Sequence, residues 1–547
     1  MELIDQKTKS IMEGCKERAR KAGLNFQDES LEYIVTNRDL IELTPKLMIP
    51  TLYDYWVHDV EVLREKGRYE LYPSNPYETV INTRPAISFY NDNNPDWLNV
   101  MIFYHVLAHI DFFQNNVYFR NTWDIDFTGQ ALSDKRLIAR MRSEKGRWVD
   151  YIIEFARGID NLVGYYSELI QFETLPHQNE SSSLNYYFDV FLQSIQKVPT
   201  TEYLKELDRY NKYCEEYKEK AEQIFFSEVR QKHPEFNSLL AKHGQRLHAP
   251  KIDLLQYIMK NSDFLRREKN AWMQSIIEVV RKTSLFFQPQ IRTKIMNEGW
   301  ASYWHENLFL ADDRIKGHEV DFARVHSGVA AMPRIGLNPY ALGMRLFQHT
   351  EEMADKGKYS IDFRKIMDIK VREKYDTGAK NGSEYISEVR KNLCDSLFIE
   401  YFTDQDFVDR HDLFVAGRRL NQERMVWEYY IKSRKADDYK EMLREQLYHP
   451  PSIEVDHNSS NDGQLYLKHH FEGKPLVSEF ISNTMMGIEY LWGAPVHLET
   501  NEIVQSAQES RRYGGTATEK PVDKKNIRWK RVLYTMEARK LTKKDLE

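Results

Sequence analysis

Cysteine is scarce in this chain: Cys15, Cys214 and Cys394 are the three among 547 residues, odd in number and far apart. That excludes a disulfide framework and a cysteine-built zinc site. Glycine (23) and proline (18) are also low, which argues against disorder, collagen-like repeats and a loop-rich all-β fold. Positive charge is not in excess either. Lys and Arg total 77 against 83 Asp and Glu, a net charge of −6, whereas a dedicated nucleic-acid binder concentrates basic residues. The one basic stretch, KKNIRWKR at residues 524–531, reads as a solvated strand edge. Long apolar runs are missing as well: residues 100–110 are about half of what a bilayer span requires, and they contain two histidines. The opening MELIDQK has no basic start followed by an apolar stretch, so no secretory signal is expected. The expectation is a reduced, soluble, cytoplasmic protein with no membrane span and no nucleic-acid partner.

Aromatic residues, by contrast, are plentiful: 33 Tyr, 27 Phe and 10 Trp, enough for a large core. The length suits two to four domains. Residues 3–22, 99–114, 134–172 and 203–229 are rich in helix formers and poor in Gly and Pro, which predicts a mainly α protein. Residues 203–229 carry Glu/Lys neighbours four apart, as a solvated helix or helical hairpin arm would. Composition changes at residues 448–463 (YHPPSIEVDHNSSNDG), a predicted linker. Beyond it, residues 464–471, 496–499 and 527–536 read as short strands and 478–490 as a helix, with turns at 472–473 and 492–493. His469 and His470 are read as facing the surface. The expected organisation is a large multi-helical core domain over 1–447, the linker 448–463, and a small C-terminal α/β domain over 464–547.

Residues 103–113, FYHVLAHIDFF, place His105 and His109 four apart on one helical face, with Cβ atoms about 6 Å apart, a spacing that can grip one cation. Zinc peptidases with this spacing keep a glutamate beside the first histidine as general base; here that position is Val106. Residues 296–306, MNEGWASYWHE, supply Glu298 as a third, carboxylate ligand. The NEGWA string is similar to the helix that provides that ligand in gluzincin-type metallopeptidases. His305 lies two turns on, roughly 10 Å along the axis, and either leans in as a further ligand or supports the others from behind. Small Gly299 and Ala301 let this helix approach a neighbour closely. Two histidines and one glutamate leave a position open, as catalytic metal sites do. Zn²⁺ is the first choice, though imidazole plus carboxylate also suits other first-row divalent ions. Asp111, Glu306 and His326 are the candidate acids and bases in place of the missing glutamate. Asn338, before Pro339 in GLNPYALG (336–343), is either a helix cap or a site residue.

Five segments in order carry a family resemblance: HVLAHIDFF (105–113); FQPQ (287–290) leading into MNEGWASYWH (296–305); LNPYALG (337–343); LYLKHH (465–470) with GKPL (473–476); and LWGAPV (491–496). The chain resembles the SpoVR family, stage V sporulation protein R and its relatives, over about residues 26–498. It differs from the familiar pattern at Ala108, where a glycine often stands, and in an insertion-like stretch around 177–213. The resemblance implies a bacterial cytoplasmic protein of spore cortex formation, with relatives in non-sporulating bacteria linked to stress adaptation. It also implies a PrkA-type serine kinase and a von Willebrand-domain protein as partners.

Two functions compete on these residues. One is a metal-dependent hydrolase, with an ion between the His105/His109 helix and the Glu298/His305 helix, acting on a cell-wall precursor or peptide-like amide. The other is a non-enzymatic regulator or scaffold on a degenerate peptidase-like core, motivated by Val106. Whether the protein is an enzyme is left open by the sequence.

Overall fold

The computed structural model describes residues 2–27, 30–36, 78–122, 127–163, 182–240 apart from 197 and 199, 253–366, 368–421, 425–447, 450–456, 459–460, 463–471, 474–503 and 529–546. The chain divides into two units. The first comprises Met1–Gly164, Ile252–His349 and Leu393–Glu547, the second Tyr165–Lys251 and Thr350–Asn392.

The helices used below are α1 (Gln6–Ala22), α2 (Asp96–Asn115), α3 (Phe127–Lys145), α4 (Trp148–Arg157), α5 (Thr200–Tyr217), α6 (Ala221–Lys232), α7 (Leu254–Asn261), α8 (Ala271–Arg292), α9 (Lys294–Leu310), α10 (Glu319–Val329), α11 (Pro339–Asp355) and α12 (Ser478–Trp492). The expectation of a mainly helical body with a small C-terminal sheet holds. Two further sheets were not legible in the sequence. β1 (Glu2–Leu3), β2 (Ser30–Val35), β3 (Glu78–Ile81) and β4 (Ala86–Asn91) form a four-stranded sheet in the order β1-β2-β4-β3, with β2 and β4 parallel. β5 (Val415–Asn421) and β6 (Val426–Ser433) form a separate antiparallel hairpin.

In the C-terminal sheet the order is β11-β10-β9-β8-β7, built from β7 (Ser452–Val455), β8 (Leu465–His470), β9 (Val496–Ile503), β10 (Trp529–Glu537) and β11 (Lys540–Leu546). Ser452–Val455 lies within the stretch read as a linker. β8 and β9 are parallel, so α12 serves as the crossover that such a pair requires. Gly493, at φ 82°, ends α12 in the left-handed conformation that glycine tolerates best. Of the expected turns, this one forms; the other, at 472–473, lies outside the described residues. The two histidines of β8 alternate: His470 is exposed, but His469 is buried with its Nδ1 2.8 Å from Thr500 Oγ1. The expectation that both face solvent fails because successive strand side chains point to opposite faces. Leu465, Leu467, Val496, Leu498, Val532 and Met536 of this sheet share one apolar core with Ile152 of α4, Ile258 of α7 and Ile276 of α8.

Within the second unit, α5 and α6 follow the expected hairpin arm. Its inner face is a cluster of rings, Tyr187, Phe191, Phe225, Phe226 and Phe236, all buried, so the arm has its own core as well as a charged exterior. Among the described residues no helix is long and apolar enough to cross a membrane.

The centre of the first unit is α2. Every residue from Leu98 to Phe113 is buried, as expected of a helix apolar on all sides. It runs beside α9. Asp395 fixes the start of α9, accepting from the amides of Ile295 and Met296 at 2.8 Å each. At the other end, Tyr104 of α2 donates to Asp312 at 2.7 Å, and Arg314 reaches from Asp312 to the Ile11 carbonyl and the Cys15 thiol of α1. Burial opposes the Asp312 charge, but Arg314 and Tyr104 outweigh it and hold its pKa at about 2. On the other flank α9 meets α11 almost backbone to backbone. A Cβ on Gly299 would lie 2.3 Å from the Gly343 carbonyl carbon, and one on Gly343 would lie 2.1 Å from the Ile295 oxygen.

Candidate metal centre

Helical periodicity puts His105 and His109 one turn apart on the side of α2 that faces α9. Their Nε2 atoms are 3.1 Å apart, and they lie 4.0 and 3.6 Å from Glu298 Oε2. Ligand atoms about 2.0–2.2 Å from a tetrahedral ion stand roughly 3.3–3.6 Å from one another, so these separations bracket the required edge. This is the one group of at least three such donors with metal-binding spacing among the described residues. The donor chemistry fits a divalent ion. Burial, with His109 and His305 close by, lowers the His105 pKa well below the usual value, so its imidazole is neutral and keeps a lone pair. His109 Nδ1 lies 2.9 Å from Asn297 Oδ1, which takes up that nitrogen as a donor and turns Nε2 toward His105 and Glu298.

The structure does not place all of the sequence-derived candidates together. His305 is one step behind the donor group: its Nδ1 sits 2.9 Å from His105 Nδ1, on the side of that ring away from His109 and Glu298. Its other nitrogen lies 2.8 Å from His326 Nδ1. Burial, then His326 and His109, push the His305 pKa down to about 3. His326, on α10, faces Glu306 at 3.6 Å, and Glu306 accepts from Gln348 Nε2 at 3.0 Å. Asp111 is turned elsewhere: fully buried, it accepts from the Asn25 amide at 2.7 Å and the Trp300 indole at 2.8 Å, tying α2 to α9. Asn338 takes the capping role, accepting from the amides of Tyr340 and Ala341 at 3.0 and 3.4 Å.

Sequence reasoning missed three groups at the centre. Asn297 orients His109. Tyr340, in the first turn of α11, lies near enough to Glu298 to feel its charge, and its ring centroid lies 6.3 Å from that of His105. Burial, then the charges of Glu298 and Glu78, raise the Tyr340 pKa, so its hydroxyl keeps its proton. Glu78, the first residue of β3, has its pKa pushed up to about 7 by burial and by the neighbouring charge of Glu298. Asn297 and Tyr340 both lie inside quoted motifs and were passed over there. Nothing local marks Glu78, because a strand brings it in from more than two hundred positions before Glu298.

Fold and centre together define a predominantly helical protein with a two-histidine, one-glutamate donor set between two core helices. Residues 4–452 match the family described as SpoVR like protein, and the chain belongs to that family. It is also similar to the uncharacterized protein YcgB of Escherichia coli (strain K12), 23% identical over 500 residues, covering 85% of this chain and 86% of that one. No solved structure matches the chain.

Proposed function

We propose that this SpoVR-family protein is a cytoplasmic, metal-dependent hydrolase acting in spore cortex formation or in stress and envelope adaptation. The observation that carries the reading is the convergence of His105 Nε2, His109 Nε2 and a Glu298 oxygen from two helices. These three residues would hold the ion, with Zn²⁺ the first choice. Bound there, a divalent ion would polarise a carbonyl and bring the pKa of water near 7. The chain's own contribution would be proton handling. Glu78, with a pKa of about 7, suits a base that takes a proton and returns it, the part that Val106 cannot play. Tyr340, still protonated, would stand as a neutral hydroxyl beside Glu298. A cell-wall precursor or peptide-like amide fits this chemistry. Elemental analysis of protein purified without chelator tests the reading. About one ion per chain is expected in the wild type and a loss of most of it in Glu298→Ala; a metal-free wild type would overturn it.

A second reading, a regulator or scaffold working with a PrkA-type serine kinase and a von Willebrand-domain protein, draws on the β5–β6 hairpin. Trp427, Tyr429 and Ile431 are all exposed there, beside basic Arg418 and Arg419. If this reading holds, Trp427→Ser/Tyr429→Ser abolishes co-purification of the kinase, while His105→Ala still complements a deletion strain.

A further inference from the structure

The β5–β6 hairpin exposes apolar and aromatic side chains on both of its faces. Its register pairs Ala416 with Ile431, Arg418 with Tyr429 and Leu420 with Trp427, so Leu420, Trp427, Tyr429 and Ile431 lie together on one face. The intervening pairs, Gly417 with Tyr430, Arg419 with Glu428 and Asn421 with Val426, put Val426 and Tyr430 on the other. All six apolar side chains are exposed, Trp427 by 58% and Tyr429 by 59%, and Met425, just before β6, by 75%. Single exposed apolar residues are ordinary on a protein surface, whereas a contiguous set marks a contact with something else. Among the described residues no third strand joins this pair.

The charge of the hairpin runs against that of the chain. β5 and β6 carry Arg418, Arg419 and Lys432 against a single acid, Glu428, while the whole chain has a net charge of −6. Glu428 is already engaged: it lies 3.6 Å from Arg419 Nε and accepts from Asn421 Nδ2 at 2.7 Å. Arg418 and Lys432 are exposed. The Arg418 guanidinium stands 5.1 Å from the Trp427 ring centroid and that of Arg419 5.9 Å from Tyr430, so cations and rings are interleaved. A neighbouring protein would cover one face of a two-stranded ribbon and leave the rings of the other in water. A medium that surrounds the ribbon covers both. The surface of an anionic bilayer is such a medium: Trp and Tyr favour headgroup level, aliphatic side chains reach the acyl boundary, and Arg and Lys meet lipid phosphates. The open edges of the ribbon, whose amides and carbonyls need water or headgroups as partners, hold it at that depth.

We infer that the β5–β6 hairpin is a membrane-surface anchor, which places Trp427, Tyr429 and their apolar neighbours in the headgroup region of an anionic bilayer and is drawn there by Arg418, Arg419 and Lys432. The anchor lies on the bilayer without crossing it. It does not depend on the metal reading, and it assigns to lipid the face that the scaffold reading assigns to a protein.

The test sediments full-length protein with vesicles, either phosphatidylglycerol mixed equally with phosphatidylcholine or phosphatidylcholine alone, at low and high salt. The wild type should bind the anionic vesicles, bind the neutral ones weakly, and release as salt rises. Trp427→Ser/Tyr429→Ser and, separately, Arg418→Glu/Lys432→Glu should each weaken binding by about tenfold or more. Both should keep the wild-type unfolding midpoint, because the altered side chains are exposed. The emission that is lost in Trp427→Phe should shift to shorter wavelength when anionic vesicles are added to the wild type. A wild type that ignores anionic vesicles, or binding that both double variants retain, would overturn the anchor. Loss of binding in the charge variant alone, with Trp427 emission unshifted, would also overturn it, leaving electrostatic adsorption without insertion. If vesicles are ignored while Trp427→Ser/Tyr429→Ser abolishes kinase co-purification, the face belongs to a protein.

Discussion

Asp111 shows how much a single residue's position can reveal. At 3.6 residues per turn, it lies about 120° around the helix from His105 and about 160° from His109. That arithmetic already turns it away from the face that carries the two imidazoles, and the structure has it bonded to Asn25 and Trp300. The same arithmetic puts His305 in register with Glu298, two turns on, and there it stands directly behind His105. Residue spacing thus discloses which groups share a face, but not which ring nitrogen meets which. His305 also carries a pH prediction. Its folded pKa of about 3 lies below the ordinary value of 6.5, so below pH 6.5 the unfolded chain takes up a proton that the folded chain refuses. Stability from this group is full above pH 6.5 and drains as pH falls toward 3, by about 1 kcal/mol per pH unit. Urea midpoints of metal-free protein should therefore drop between pH 7 and pH 5, and more shallowly in His305→Asn. Cys15 makes a second test. Burial, only partly offset by Arg314, raises its thiol to about 11, so it should resist a thiol reagent at pH 8 until the protein is unfolded.

At the scale of elements, the centre depends on how closely three helices approach. His105 and His109 come from α2, Glu298 from α9, and Tyr340 from the start of α11. Gly299 and Gly343 set the α9–α11 spacing, because a methyl group on either would overlap the other helix's backbone, which cannot yield as a flexible side chain can. Gly299→Ala should cost about 1–3 kcal/mol or more through overpacking. It should also weaken Zn²⁺ binding, since Glu298 is its chain neighbour; thermal unfolding with and without Zn²⁺ measures both effects. The small residues in NEGWA made a close approach readable in advance. The partner helix was not readable, because the contact spans more than forty positions and leaves no periodic trace. The same holds for β2–β4: their residues alternate too weakly to announce a sheet, and Glu78 came to the centre with them.

For the whole molecule, the composition change at 448–463 marks where the C-terminal sheet begins; β8, β9, β10 and α12 beyond it were legible from alternation and turn residues, whereas β7, inside the stretch read as a linker, and β11, in the charged tail, were not. What sits across from that sheet was not legible, because apolar alternation identifies an inward face without identifying what covers it. The structure supplies the answer: the inward residues of β8, β9 and β10 pack into one core with α3, α4, α7 and α8. Removal of residues 448–547 would therefore strip the cover from Ile152, Ile258 and Ile276 as well as remove a sheet. The truncated chain 1–447 should lose fixed tertiary packing, seen as loss of near-UV circular dichroism and gain of dye binding, with helical far-UV signal retained. Its failure in a complementation assay would then say nothing about partner docking. A point substitution separates the two effects. Leu467→Ala, fully buried in this core, should cost about 2–5 kcal/mol by cavity formation, whereas Trp427→Ser in the exposed hairpin should leave the unfolding midpoint nearly unchanged. If the Trp427 variant unfolds as easily as the Leu467 variant, the hairpin is a structural part of the fold, and its exposed rings lose their value as evidence for a partner.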